Sequence, residues 1–132
     1  MAFPIEEKYI EIAENELGVK FPESFRRKMI KLNGGGVDVG GDHFEIHPFY
    51  DTSDKKRIKR TCNSIVKETN TARNHYRLPG NLIVIGNSGG GDVLVYKVED
   101  NGTVSNTVYW FDHETEELVL AASDFGDLHE SV

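Results

Sequence analysis

Three glycines follow an apolar run in LIVIGNSGGGDVLVYKV, residues 82–98. A glycine loop between a strand and a helix can bind phosphate, because backbone N–H groups and the helix N-terminus face the anion. Here Gly91 is followed by Asp92 and a second apolar run, without the Lys-Ser/Thr of a P-loop and without a helix. A carboxylate at this point repels phosphate. We therefore predict a turn between two antiparallel strands, with the glycines at positive φ, and no nucleotide site.

Histidines and carboxylates offer possible metal ligands. His43 and His47 are four residues apart, which on a strand separates them by about 13 Å, too far for one ion. Asp112, His113 and Glu114 are consecutive, and consecutive strand residues point to opposite faces. A turn in which these polar side chains cap backbone groups is the preferred interpretation. We predict no metal site and no cofactor.

Nucleophilic catalysis would need an activated cysteine or serine. The single cysteine, Cys62, falls at an apolar position of a predicted helix, and we predict that it is a small core residue. No serine has the strand-to-helix setting of a nucleophile elbow. Carboxylate pairs such as Glu116-Glu117 are typical of solvated turns. No set of catalytic residues emerges, and the sequence predicts a binding protein rather than an enzyme.

Length and composition narrow the class of protein. The chain has 132 residues, a length suited to one domain, and a formal net charge of −7. This charge disfavours direct binding to nucleic acid and favours a basic partner. One cysteine allows no internal disulfide, and the N-terminus lacks the apolar segment of a signal peptide. No apolar run reaches the roughly 20 residues that cross a bilayer. We expect a cytoplasmic protein without membrane contact.

Charge is distributed unevenly along the chain. Residues 55–77 are rich in Lys and Arg and contain Glu68 as their only acidic residue. From Glu99 to the end, the chain has many Asp and Glu residues and no Lys or Arg. For the basic segment, a solvated helix face is a better interpretation than a nucleic-acid contact.

Helical signals dominate the first half of the chain. Apolar residues recur at helical spacing over residues 5–17, which end before Gly18, and over residues 22–32, which end at Asn33 and the glycines after it. These segments predict a pair of helices, and the acidic charge disfavours the DNA-binding version of that motif. Residues 37–50 predict a weak hairpin with its turn at residues 40–42. Residues 52–75 predict a third helix.

Strand signals dominate the second half. Residues 82–85, 93–98, 107–111 and 118–121 predict strands, separated by turns that include residues 100–102 and 114–117. Ser123 is a possible N-cap for a last helix or turn. Helices followed by consecutive strands predict an α+β fold, with a mainly antiparallel or mixed central sheet flanked by helices.

Three segments in this order resemble the SUKH superfamily, which includes the Smi–Knr regulators of cell-wall synthesis in fungi: ENELGVKFPESFRRKMIKLNGGG, LIVIGNSGGGDVLVYKV and VYWFDHETEELVLAASDF. The matching positions span nearly the whole chain: Leu17-Gly18, Phe21-Pro22, Asn33-Gly34-Gly35, Gly91-Asp92, Val108-Tyr109-Trp110, Asp112-His113-Glu114 and Ser123-Asp124-Phe125. The chain departs from the family pattern at Phe111 and Asp124, which are inserted within motifs, and in the basic segment, which matches no motif.

The resemblance implies one SUKH-like α+β domain over residues 1–132, without enzymatic activity. Bacterial members of the superfamily are widely immunity proteins, which bind and neutralise a toxin domain, often a nuclease or a deaminase. The implied partner is a toxin domain with a basic surface, to which an acidic inhibitor can be steered electrostatically. The alternative is a regulatory or scaffolding module like the fungal relatives. A third class, a small-ligand binder, would need a pocket that the sequence does not declare.

The candidate partner-binding residues lie at the glycine hairpin and at the acidic turn near the end of the chain. They are Asp92, Trp110, Asp112, His113, Glu114, Glu116 and Glu117. The structural alternative is that Asp92 stabilises its own turn and that Trp110 belongs to the core. Neither the cognate toxin nor an oligomeric state follows from the sequence.

Overall fold

The computed structural model describes residues 2–130 of the chain. Its elements are α1 (Glu7–Leu17), α2 (Glu23–Lys31), β1 (Gly35–Val39), β2 (Asp42–Ile46), α3 (Lys55–Thr61), α4 (Ile65–His75), β3 (Leu82–Ser88), β4 (Val93–Lys97), β5 (Val108–Phe111), β6 (Leu118–Ala122), a 3₁₀ helix (Phe125–Asp127) and β7 (His129–Glu130). None of the helices described is long and apolar enough to cross a membrane.

The strands form one sheet in the order β6-β5-β4-β3-β2-β1-β7, and every neighbouring pair is antiparallel. The prediction of an α+β fold with an antiparallel sheet flanked by helices is confirmed. The predicted hairpin after the helix pair is β1–β2, which turns at Gly40 and Gly41 with φ of 55° and 89°. The short β7 was not predicted, and it pairs with β1 at one edge of the sheet.

The predicted helix pair is present as α1 and α2. Gly18 ends α1 in the left-handed conformation, with φ of 70°, as the sequence indicates. The start of α1 differs from the prediction, because the helix begins at Glu7 and residues before it are extended. Ile5 donates its N–H to the Ile30 carbonyl at 3.0 Å, so this segment is held by α2 instead of entering the helix.

The predicted third helix is two helices, so the prediction of one helix over residues 52–75 is wrong. Ser64 is extended, and its hydroxyl accepts the Lys67 N–H at 3.2 Å, which starts α4 anew after α3 has ended. The break leaves Cys62 exposed and sends Ile65 into the core. The prediction that Cys62 is a core residue is therefore also wrong.

The predicted last helix or turn is the 3₁₀ turn Phe125–Asp127. Its N-cap is Asp124 rather than Ser123, because the Asp124 carboxylate accepts the Gly126 N–H at 2.7 Å. This turn places Phe125 in the core against Phe25, at a centroid distance of 4.9 Å.

The core has two parts, one on each face of the sheet. The larger part joins α1, α2 and the sheet through aromatic rings in tilted and edge-to-face contact, among them Phe21, Phe25 and Tyr96. The smaller part lies on the opposite face and consists of Leu78, Leu82, Val84, Val95 and Phe111. The two faces follow from strand alternation, since neighbouring residues of β3 and β4 point to opposite sides.

Helix α4 lies beside the first half of β3, where β2 is no longer present as a neighbour. The Val84 N–H donates to the buried Thr69 hydroxyl at 3.0 Å, and Arg73 donates to the Leu82 carbonyl at 3.0 Å. These bonds satisfy backbone groups that would otherwise lack a strand partner. The face of the smaller core is thereby covered near β3, and it is less covered toward β5 and β6.

Candidate partner-binding surface

The glycine segment is a turn between β3 and β4, as predicted. The Ser88 hydroxyl accepts the N–H groups of Gly90 and Asp92 at 3.3 and 3.2 Å, which closes the turn from within. Of its three glycines, Gly91 alone has positive φ, at 99°, so the expectation for Gly89 and Gly90 is not met. The segment leads into a strand and offers no helix N-terminus to a phosphate.

A hydrogen-bonded pair joins this turn to the acidic turn after β5. Asp92 Oδ1 accepts the His113 backbone N–H at 3.0 Å and lies 2.6 Å from His113 Nδ1. The His113 ring rests against Gly91, where an added Cβ would lie 3.3 Å from the ring atoms. Gly91 is therefore required both by its backbone conformation and by the approach of the ring. The pair fixes two turns that are 21 residues apart in sequence.

The hydrogen bond between Asp92 and His113 shifts the pKa values of both side chains. Burial raises the pKa of Asp92, but the hydrogen bonds from His113 and from the Trp110 side chain outweigh burial and hold that pKa below its ordinary value. The hydrogen bond to Asp92 raises the pKa of His113 above its ordinary value, and the charges of Asp92, Glu114 and Asp112 act in the same direction. The pair therefore favours an imidazolium beside a carboxylate.

The acidic turn connects β5 to β6 and is held by its own side chain at Asp112. Asp112 Oδ1 accepts the N–H groups of Glu114 and Thr115 at 2.8 and 3.2 Å. The Asp112 carbonyl accepts the Glu116 N–H at 2.7 Å, and the Asp112 N–H donates to the Glu117 carbonyl at 3.0 Å. Glu116 has φ of 60°, the left-handed region that favours glycine or asparagine. The side chains of Glu114, Glu116 and Glu117 are exposed.

Trp110 is the candidate that stands apart. It is half-buried, and its ring meets Phe44 edge to face at a centroid distance of 4.9 Å, on the face of the larger core. Its side chain is close enough to Asp92 to help lower the pKa of that carboxyl. The structure thus brings six of the seven candidates together as one acidic surface, namely Asp92, Asp112, His113, Glu114, Glu116 and Glu117.

Among residues 2–130, Asp92, Asp112 and His113 form the one group whose ligand atoms are close enough to hold a metal ion, all within 4.8 Å. These atoms form hydrogen bonds within the fold, because His113 Nδ1 pairs with Asp92 and the Asp112 carboxylate accepts N–H groups of the turn. The histidines at 43 and 47 are differently placed. His43 is exposed beside Asp38 and Glu45, whereas His47 is buried.

A cavity of about 550 Å³ adjoins the acidic surface, between α4 and the open half of the sheet. Its walls include Val84 and Phe111 of the smaller core, Tyr76 and Arg77 after α4, and His113 and Glu116 of the acidic turn. Arg77 and Glu116 are the two non-glycine residues with positive φ in the described chain, at 58° and 60°. Strained backbone of this kind concentrates at functional sites. This cavity is not predictable from the sequence, because α4 and the strands that enclose it are distant along the chain.

An exposed apolar strand continues from the acidic turn. In β6, Leu118, Val119 and Leu120 are 39%, 53% and 63% exposed. Leu118 lies opposite Phe111, and Leu120 lies opposite Tyr109, so both leucines extend the face of the smaller core. The sequence predicts this run as a fourth strand and does not predict its exposure. Its signal was the sequence LVLAA directly after a turn rich in glutamate.

Part of the basic segment, residues 55–77, has a structural role. Lys56, Arg57 and Arg60 of α3 lie over the ring of Phe3, at 5.6, 4.8 and 5.4 Å from its centroid. Arg57 also pairs with Asp54 at 2.9 Å. Cations stacked on an aromatic face in this way hold the N-terminal segment against α3.

The helix pair, the antiparallel sheet and the two joined turns define an α+β domain with an acidic surface at one end of β4 and β5. The sequence pattern of the SMI1 / KNR4 family (SUKH-1) matches residues 4–131. The chain belongs to this family. No curated protein matches the chain at a significant level.

Proposed function

We propose that this chain is a non-enzymatic protein-binding domain, and specifically an immunity protein that neutralises a toxin domain of the nuclease or deaminase type by direct binding. The observation that carries the proposal is the acidic surface at Asp92 and at the turn over residues 112–117. It belongs to a chain of the SMI1 / KNR4 family. The regulatory module remains the competing function.

Electrostatics support the choice of partner. Enzymes that act on nucleic acids bind a polyanion, so their substrate-binding surfaces are basic. Exposed carboxylates of Glu114, Glu116 and Glu117 project from a turn that Asp112 and the Asp92–His113 pair hold rigid. A rigid acidic surface on a protein of net charge −7 is suited to steering and orienting such a partner. Little conformational entropy is lost when a pre-formed turn binds.

The direct test is capture of the partner. The tagged chain is isolated from its source cells, and co-purifying proteins are identified by mass spectrometry. We expect the C-terminal domain of a large secreted protein, whose activity the purified chain then inhibits in vitro. Recovery of cell-wall-synthesis or housekeeping proteins without any toxin would favour the regulatory module instead.

A charge variant tests the surface itself once the partner is in hand. Asp112→Asn, Glu114→Gln, Glu116→Gln and Glu117→Gln together remove the carboxylates, and asparagine at position 112 keeps the oxygen that accepts the turn N–H groups. We expect association at low salt to slow by about tenfold. The matched control removes as many exposed carboxylates elsewhere, through Glu11→Gln, Glu16→Gln, Glu99→Gln and Asp100→Asn. Equal slowing in both variants would mean that net charge acts, and not this surface.

A further inference from the structure

The outer edge of β6 is open. The strand is the last in the sheet order, and within residues 2–130 nothing pairs with its far side. Natural proteins protect such edges with lysine, proline, bulges or a covering segment, because unpaired N–H and C=O groups recruit other strands. Residues 118–120 carry none of these side chains and are apolar. A bulge near Ala121 limits the regular edge to these three residues.

The hydrogen-bond pattern between β5 and β6 shows which backbone N–H and C=O groups point to the open edge. Asp112 and Glu117 share a hydrogen bond across the hairpin, at 3.0 Å. Bonded and non-bonded pairs alternate along an antiparallel ladder, so Val119 bonds inward to Trp110, whereas Leu118 and Leu120 do not bond to β5. The N–H and C=O groups of Leu118 and Leu120 therefore point to the open edge. Their side chains are exposed on the face of the smaller core.

The charges around the outer edge of β6 indicate whether a second copy of this chain can bind there. Glu116 and Glu117 precede β6, Asp124 follows it, and no Lys or Arg occurs from Glu99 to the end of the chain. A second copy placed antiparallel on β6 would bring the acidic turn of one copy against Asp124 of the other. A parallel arrangement would set each glutamate beside its copy. Both arrangements place like charges together, and residues 99–132 contribute no Lys or Arg to offset them.

We propose that β6 is a docking edge for an extended, basic segment of the partner protein, which adds a strand to the sheet through Leu118 and Leu120. Alternate apolar side chains of that segment would pack on Tyr109, Leu118 and Leu120. Its Lys or Arg residues would face the exposed carboxylates of Glu116 and Glu117, which precede β6. Main-chain bonds supply affinity in this mode of recognition, and side-chain pockets supply specificity. This inference rests on the proposed function for the basic character of the partner.

The test uses a short end-blocked peptide that alternates Lys and Val, added to the isotope-labelled protein. Amide NMR signals report where it binds. We expect the largest shifts at Leu118 and Leu120. A peptide that alternates Glu and Val, and one with its lysines and valines in separate blocks, should bind at least tenfold more weakly. Absence of binding, equal binding of the three peptides, or shifts confined to another surface would overturn the proposal.

Substitutions at exposed Leu120 separate backbone pairing from contact with an apolar face. Leu120→Ala keeps the outward N–H, whereas Leu120→Pro removes it without breaking a bond to β5. We expect the proline variant to bind the basic peptide about tenfold more weakly than the alanine variant. Leu120→Lys should weaken binding, and Leu120→Glu should preserve it. Equal binding by the alanine and proline variants would refute strand addition.

Two outcomes separate this inference from the proposed function. Inhibition of a captured toxin that is unaffected by Leu120→Pro and Leu120→Lys would leave the function standing and overturn the docking edge. Binding of the basic peptide at β6 without a toxin partner in cells would support the edge and refute the immunity function. A dimer detected by sedimentation and abolished by Leu120→Lys would overturn the proposal in favour of self-pairing.

Discussion

Glu116 connects backbone strain to function in a way that can be measured. Its φ of 60° is unfavourable for a residue with a Cβ, by roughly 1–2 kcal/mol. Its side chain is exposed, so its removal takes no contact from the core. Glycine adopts this conformation without strain. It also loses more backbone entropy on folding than glutamate does, and this loss cancels about 0.5–1 kcal/mol of the stability gained. We expect Glu116→Gly to raise the free energy of unfolding by about 0.5–1 kcal/mol.

Such a gain corresponds to a rise in Tm of about 2–5 °C for a domain of this size. Urea unfolding and calorimetry would measure both quantities. Glu116→Gln is the matched control, because it removes the charge and keeps the strained backbone. A glycine variant no more stable than the glutamine variant would refute the argument from strain.

The same two Glu116 variants also test whether this residue contacts the partner. If Glu116 contacts the partner, both Glu116→Gly and Glu116→Gln should associate more slowly with it, although the glycine variant is the more stable protein. A stabilised variant that binds less well is the expected trade-off at a functional position. Full binding by both variants would remove Glu116 from the partner-binding surface.

Other predictions concern the scaffold of the site. Gly91→Ala should lower the free energy of unfolding by at least about 1–2 kcal/mol, because its φ is 99° and the His113 ring lies against it. Gly90→Ala is the control, with neither constraint, and similar losses in urea unfolding would contradict the reasoning. The NMR titration of His113 should show a pKa above the ordinary 6.5, and Asp92→Asn should lower it. Because the histidine pKa is raised and the Asp92 pKa is lowered in the folded state, the stability from the pair is fully present between about pH 4 and pH 6.5. It is lost as pH rises through the folded-state pKa of His113 or falls through that of Asp92. An unchanged titration in the Asp92 variant would exclude the pairing in solution. Thr69→Val should cost about 1–3 kcal/mol by leaving a buried N–H of β3 without its acceptor, whereas Thr69→Ser should retain most of the stability; equal unfolding midpoints would refute this role.

The sequence by itself determined those features that depend on neighbouring residues. Gly18 ends a helix because only a residue that accepts the left-handed conformation fits there, and that requirement is local. The hairpins of the glycine segment and of the acidic turn follow from turn residues between two apolar runs. The α+β class and the antiparallel sheet follow from the order of these elements. The position of most candidate residues on two adjacent turns was therefore accessible from the sequence.

The tertiary structure alone decided what depends on residues distant along the chain. The periodicity around Cys62 indicates a core position, but the Ser64 cap breaks the helix and turns that side chain to solvent. The sequence does not show what Trp110 packs against, and only the fold brings Phe44, from another hairpin, to its ring. Alternation along a strand predicts which residues share a face of the sheet, but it does not predict which face a helix covers. Only the assembled sheet leaves the outer edge of β6 without a partner among residues 2–130, because the sheet order is set by long-range packing.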